Sequence, residues 1–179
     1  ELAGSQKEIR AEKPVVKVRR WDLPGVKMDR PVKNVLALLA GPRKGGNTDC
    51  IMDELLEGVR EAGASVEKFC FPDLRRGPCV GCMTCEAKEL ATYCAIKDDM
   101  TEMYRKFLEY DAFVMGFPVY TARECSQAAV FFDRLKALRT KGHYNKLGRI
   151  RRGGLVVTWG WPSDDSYNHV VENAAFVLK

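Results

Sequence analysis

The sequence predicts an open α/β sheet with helices packed on both faces. Strand-like apolar runs alternate with stretches of helical periodicity from Val32 onward, the pattern that builds such sheets. A glycine-rich turn, GPRKGGNT, joins the first run to the first helix. That is where sheets of this class bind ligands, outside the carboxyl ends of the strands where strand order reverses.

Val35-Leu36-Ala37-Leu38-Leu39-Ala40 is continuously apolar, as expected of a parallel strand covered on both faces. Ile51, Met52, Leu55, Leu56 and Val59 then recur at helical spacing, and Gly63 stops the helix. A second strand is predicted over Ser65 to Phe71. Asp99 with Glu102 three residues later reads as a capping box, opening a helix with the apolar face Met103, Tyr104, Phe107 and Leu108. Asp111 to Gly116 is a third strand, and a helix runs from Ser126 through Ala129, Phe132 and Leu135. Leu155 to Thr158 is a fourth strand, and Tyr167, Val170, Val171, Ala174 and Leu178 stripe a last helix. Residues 1–32 differ: charges are dense, Pro14, Pro24 and Pro31 punctuate them, and only Val15, Val16 and Val18 suggest a strand. They read as an extended N-terminal arm preceding a domain over residues 33–179. No internal repeat or low-complexity tract is apparent.

A chain of 179 residues with net charge +5 fits one domain and needs neither disulfides nor metal merely to fold. Its seven cysteines cannot all pair with one another. Neither a signal-peptide pattern nor a run of about eighteen apolar residues is present. The expectation is a cytoplasmic, reducing location without membrane association, where clustered thiols point to metal or redox chemistry.

Three loops follow the strands, at 41–48, 117–125 and 158–166. In the first, Gly45 and Gly46 let backbone N–H groups converge at a helix N-terminus, Arg43 and Lys44 add charge, and Asn47 and Thr48 add donors. The alternative is an ordinary glycine turn with Asn47 or Thr48 as N-cap. No G-K-[ST] closes the loop, so magnesium-dependent nucleotide hydrolysis is disfavoured. In the second loop Pro118 stiffens the turn, Val119 follows, and Tyr120 offers a flat aromatic face with a polar tip. In the third, Trp159 and Trp161 flank Gly160, to stack on a ligand or to cover the sheet edge.

Cys79, Cys82, Cys85 and Cys94 form a C-x2-C-x2-C-x8-C array followed by IKDDM. Tight x2 spacings favour an iron–sulfur cluster. A closed zinc site and a set of reduced thiols are the alternatives. Cys50, Cys70 and Cys125 read as small packing residues, and His143 and His169 as surface groups. Arg134, Lys136, Arg139, Lys141, Lys146, Arg149, Arg151 and Arg152 suggest either a solvated basic surface or a dock for an acidic electron carrier. Without interleaved aromatics beyond Tyr144 they do not suggest a nucleic-acid partner.

GPRKGGNT, PCVGCMTC with its following C-x-IKDDM, and GFPVY together resemble the flavodoxin-like NADPH-dependent FMN reductase superfamily, and the cysteine run is similar to that of its iron–sulfur flavoprotein branch. The resemblance covers about residues 33–178 and implies noncovalent FMN, a 4Fe–4S cluster, and an electron donor such as ferredoxin or NAD(P)H. It also implies a homodimer or homotetramer. By the same resemblance, phosphate contacts fall on Arg43, Asn47 and Thr48 with backbone help from Gly45 and Gly46. Ring contacts fall on Pro118, Val119 and Tyr120, and cluster ligands on Cys79, Cys82, Cys85 and Cys94. From the third loop itself, Trp159 and Gly160 are further candidates for cofactor binding. The sequence departs from the family pattern in three ways. Gly41 replaces a serine, the gap before Cys94 is long, and a fifth strand and helix are missing, either by truncation or because the Val15–Val18 arm covers that sheet edge. A cluster-free NAD(P)H-dependent FMN or quinone reductase and a zinc-stabilised α/β binding module are the competing functions.

Overall fold

A computed structural model describes residues 31–88, 90–138, 152–161 and 165–178. The arm up to residue 30, with Val15–Val18, lies outside the described residues, as do His143 and the basic positions from Arg139 to Arg151.

The elements follow in the order β1 (Asn34–Leu39), α1 (Asn47–Glu61), β2 (Ser65–Cys70), α2 (Thr84–Ala87), α3 (Met100–Glu109) and β3 (Ala112–Tyr120). The chain continues through β4 (Arg123–Glu124), α4 (Ser126–Arg134), β5 (Arg152–Thr158) and α5 (Asn168–Leu178). Four strands are parallel in the order β2-β1-β3-β5, and β4 folds back antiparallel on the end of β3. The chain leaves β1 in one direction to reach β2 and lies on the other side of β1 when it forms β3. The switch point therefore falls between β1 and β3.

Alternation along β1 sends Leu36 and Leu38 to one face and Val35, Ala37 and Leu39 to the other. The first face packs on Met103, Tyr104 and Phe107 of α3, Ala128 and Phe131 of α4, and Val170 and Ala174 of α5. There Phe113 stacks on Phe131 at 5.7 Å and meets Phe107 edge-on at 4.8 Å. The second face is covered by Met52 and Leu56 of α1. Each fully buried side chain of this size contributes about 1.5–3 kcal/mol. Among the described residues no helix is long and apolar enough to cross a membrane.

Two local expectations are corrected. The stretch read as a loop after Gly116 continues as strand to Tyr120. β1 pairs with β3 only as far as Leu39–Gly116, so the N–H that Pro118 lacks falls past the shared ladder. The hairpin that follows turns on Thr121 and Ala122, both left-handed at φ 50° and 61°. The Asp99–Glu102 capping box does not form. Asp98 accepts the Met100 N–H at 3.1 Å instead, and Glu102 pairs with Arg105.

Close packing of α1 on the sheet depends on Gly116. A Cβ there would overlap the Met52 sulfur and stand 2.7 Å from its Cγ and 3.1 Å from the Thr48 methyl. Gly116→Ala is expected to cost about 1–3 kcal/mol by overpacking, read as a lower urea midpoint with an unchanged m-value.

Candidate functional site

The ends of β1, β3 and β5 bring the three loops together. The Ala40 N–H donates to Gly116 O at 2.7 Å, and a Cβ on Gly41 would stand only 3.0 Å from Pro118 Cδ. Gly41 therefore lets the first loop lie directly against the second. Cys125 ties the same corner. Its N–H donates to Pro118 O at 3.2 Å and its thiol to Ala40 O at 3.0 Å. The third loop joins through a 2.6 Å hydrogen bond between the hydroxyls of Thr48 and Thr158.

Within the first loop Arg43 and Asn47 are exposed, Gly46 is the N-cap of α1, and Gly45 takes φ 68° with open space where a Cβ would stand. Neither Asn47 nor Thr48 caps the helix; Thr48 is buried and committed to Thr158. The residue that shapes the loop is Asp49, which the sequence reading passed over. Its Oδ2 accepts the Gly45 N–H at 2.7 Å, and its Oδ1 pairs with Lys68 of β2, which also binds Asp53. Burial alone would raise the Asp49 carboxyl, but the Lys68 ammonium and the Gly45 N–H outweigh it and hold it below the usual carboxylate range. An acid in the first turn after a glycine loop was the available signal; its cation, nineteen residues on, carried none.

Pro118 is half-buried, the Val119 side chain is in the core, and Tyr120 is exposed at the strand end. Val119 can thus meet a ligand there only through its backbone. Trp159 is half-buried edge-on against Tyr167 at 5.9 Å, while Gly160 and Trp161 are exposed. His169, exposed as expected, reaches from α5 to Ala122 O at 2.9 Å.

The four cysteines of the array line one hollow together with Val80, Ile96, Arg134 and Lys136. Cys79 and Cys82 are exposed, Cys85 is half-buried and Cys94 is buried. Cys70 is not among the lining residues. Among the described residues, no three His, Cys, Asp or Glu side chains stand in ready metal-holding geometry. The donor chemistry does suit a thiophilic metal. Burial raises the Cys85 thiol, and the negative charge of Cys94, Cys79 and Cys82 raises it further, a crowding that a shared cation would relieve. A hydrogen bond from the Thr84 hydroxyl lowers Cys82. Of the cysteines expected as packing residues, Cys125 is buried and Cys70 half-buried, but Cys50 is exposed on α1. The basic surface is also corrected at its start: Arg134 is buried against Asp98, and Lys136 pairs with Glu86 at 3.0 Å.

The family model for NADPH-dependent FMN reductase matches residues 33–165. The chain belongs to that family. Within it the chain falls on the iron–sulfur flavoprotein branch, being 32% identical over 69% of its length to such a protein from Methanocaldococcus jannaschii. It is likewise 34% identical over 70% of its length to one from Archaeoglobus fulgidus, and the two matches cover 66% and 54% of those relatives. The matched part of the chain thus spans about half to two thirds of their length. A NAD(P)H dehydrogenase (quinone) from Caulobacter vibrioides is 31% identical over 54% of the chain and 45% of that protein. Among solved structures, the fold resembles RosB with a bound 8-demethyl-8-formylriboflavin-5'-phosphate intermediate (TM-score 0.63, 17% identity, 82% of this chain and 58% of that one). It also resembles the NAD(P)H:quinone oxidoreductase of Methanothermobacter marburgensis (TM-score 0.53, 16% identity, 80% of this chain and 93% of that one).

The Asp49–Lys68 pair makes a pH prediction. A carboxyl lowered by folding contributes stability that is fully present above its unfolded value, about 3.9, and is lost as pH falls through the lower folded value. Asp49→Asn keeps an oxygen for the Gly45 N–H but loses the charge, and is expected to cost about 1.5–3 kcal/mol at neutral pH. The variant's stability should then fall less than the wild type's between pH 5 and pH 2, measured by urea unfolding at each pH.

Proposed function

We propose that this chain binds FMN at the three-loop corner and holds a 4Fe–4S cluster on Cys79, Cys82, Cys85 and Cys94. It would then act as an oxidoreductase passing electrons between a donor, NAD(P)H or a carrier such as ferredoxin, and an acceptor. The observation that carries this reading is the convergence of all four thiols of the array on one hollow, in a chain of the FMN reductase family. FMN would exchange electrons in pairs or singly and a cluster moves them one at a time, so together they connect two-electron and one-electron partners.

In this reading the chain's residues bind and orient. Arg43, exposed in the loop before α1, and Asn47, exposed at its first residue, supply donors for a phosphate at a helix N-terminus, with the Gly46 N–H beside them. Tyr120 offers its ring at the strand end, and Pro118 and the Val119 backbone form the wall beneath it. Arg134 and Lys136 line the same hollow as the cysteines, the first paired with Asp98 and the second with Glu86. Association as a homodimer or homotetramer belongs to the same proposal. It is supported by the exposed Val80 and Met83 on the cysteine loop and the exposed Tyr120 and Trp161 at the three-loop corner. Similarity to a quinone dehydrogenase supports a second reading, a cluster-free NAD(P)H-dependent reductase with the same flavin corner. Metal and flavin assays of anaerobically purified protein separate the two: about four irons with FMN support the first, FMN without iron the second.

Arg43→Ala is expected to weaken FMN about ten- to a hundredfold and riboflavin far less, because only FMN carries the phosphate. Equal losses in a fluorescence titration would show that Arg43 does not read it. Cys82→Ser should lower iron content while FMN stays bound, since the Cys82 thiol lies outside the three loops. Wild-type iron in that variant would remove Cys82 from the ligand set.

A further inference from the structure

The cysteine loop carries little secondary structure of its own; among the described residues between Gly77 and Asp98 the one helix is the four-residue α2. Its two ends nevertheless meet at a single carboxylate. Asp98 Oδ2 accepts the Gly77 N–H at 3.2 Å, and Oδ1 accepts the Met100 N–H at 3.1 Å. The Arg134 guanidinium grips both oxygens, Nη1 to Oδ2 at 2.7 Å and Nη2 to Oδ1 at 2.9 Å. The same Nη1 donates to Gly77 O at 2.8 Å, and Nε donates to the Tyr104 hydroxyl at 3.1 Å. That hydroxyl in turn donates to the Arg134 carbonyl at 2.9 Å. One step further out, Asp99 accepts the Arg75 N–H at 2.7 Å and its own N–H donates to Arg75 O at 3.0 Å. The segments before Cys79 and after Cys94 are thus laced together, and α4 is laced to both.

Arg134 is only 1% exposed and the Asp98 side chain 10%. An ion pair this deep is weak evidence for stability, because removing two charges from water offsets most of their attraction and an apolar pair would pack as well. A forked guanidinium on a carboxylate does fix direction, through parallel charge-assisted bonds. The direction fixed here is that of the loop ends, and Arg134 itself lines the hollow that the four thiols share.

We propose that Arg134 and Asp98 are positioning residues for the cysteine site: they fasten the two ends of the 77–98 loop so that Cys79, Cys82, Cys85 and Cys94 face one hollow before any metal arrives. The fastening is a property of the metal-free chain. Its consequence for iron rests on the function proposed above, and the experiment reads the two separately.

Iron-free protein, prepared with a chelator under anaerobic reducing conditions, is alkylated with iodoacetamide, and each cysteine is followed by mass spectrometry. Cys94 (8% exposed) reports on the loop, and Cys125 (1% exposed), under the three-loop corner, reports on the rest of the domain. In Arg134→Met, Cys94 is expected to react at least tenfold faster with Cys125 unchanged and FMN per chain unchanged. After reconstitution with iron and sulfide, the variant should lose iron to chelator at least tenfold faster than wild type while keeping its FMN. If Arg134→Met does not fold, Asp98→Asn serves, since it removes the charge pair and keeps an acceptor oxygen for one of the two backbone donors. Cys94 reacting within twofold of the wild-type rate in a folded variant overturns the proposal. So does equal acceleration of Cys94 and Cys125, which would make the pair a support of the whole domain. Wild-type protein that takes up no iron, combined with selective exposure of Cys94 in the variant, upholds the fastening and overturns the iron–sulfur reading instead.

Discussion

The close approach of α1 to the β1–β3 pair is the constraint on which the rest of this structure depends. β1 and β3 are the central parallel strands, and the helix crossing over them sits as low as it does because Gly116 has no side chain. Met52 fills that space and the Thr48 methyl stands beside it. With α1 seated at this depth, the Thr48 hydroxyl reaches Thr158, and the loop before the helix drops against Pro118. Cores close-packed at crystal density transmit such shifts without absorbing them. A helix riding one methyl higher would part the first loop from both others, so the ligand corner is a consequence of packing beneath it.

Much of this was legible in sequence, for identifiable reasons. β1 and the core of β3 are buried on both faces, so they read as unbroken apolar runs. α1 and α3 each cover one face and show it at helical spacing. The glycine loop and the cysteine array declare themselves by residue type. What stayed hidden depends on partners distant in the chain. The extension of β3 through Pro118 could not be read, because a proline argues against strand unless the neighbour strand is known to have ended. Asp98 replaces Asp99 as the acceptor at the start of α3, since the Asp99 carboxylate is drawn to Arg75. Arg134 looked like one member of a basic run because Asp98 lies 36 residues away. The expected FMN and cluster residues came from likeness of motif, and the geometry adds which of them are exposed and which are buried.

Both candidate sites share one electrostatic device. Beside the glycine loop, Asp49 holds a backbone N–H with one oxygen and a lysine with the other. Beside the cysteine loop, Asp98 holds two backbone N–H groups and an arginine. In each case burial disfavours the charged carboxylate, and the cation together with the backbone donors reverses that. A neutral side chain could not satisfy so many donors at once. The device suits irregular backbone, which has no ladder of its own to orient it and would otherwise bury N–H groups without partners.

Strain falls at the same two places. The non-glycine residues with left-handed backbone, among those described, are Met83 and Tyr93 in the cysteine loop and Thr121 and Ala122 in the β3–β4 turn. Such conformations persist only where surrounding contacts over-determine them. At the turn those contacts come from β4 and from His169; at the cysteine loop they come from the laced ends. Helix α4 joins the two. Its N-cap, Cys125, is bonded to Pro118 and Ala40, and its last residue, Arg134, is bonded to Gly77 and Asp98. At about 1.5 Å per residue its nine residues form a strut of about 13 Å. A helix of that length, packed through Ala128 and Phe131, does not bend with either loop. The spacing between the two sites is therefore set by α4, and differences in loop length, such as the long gap before Cys94, can be taken up without changing it.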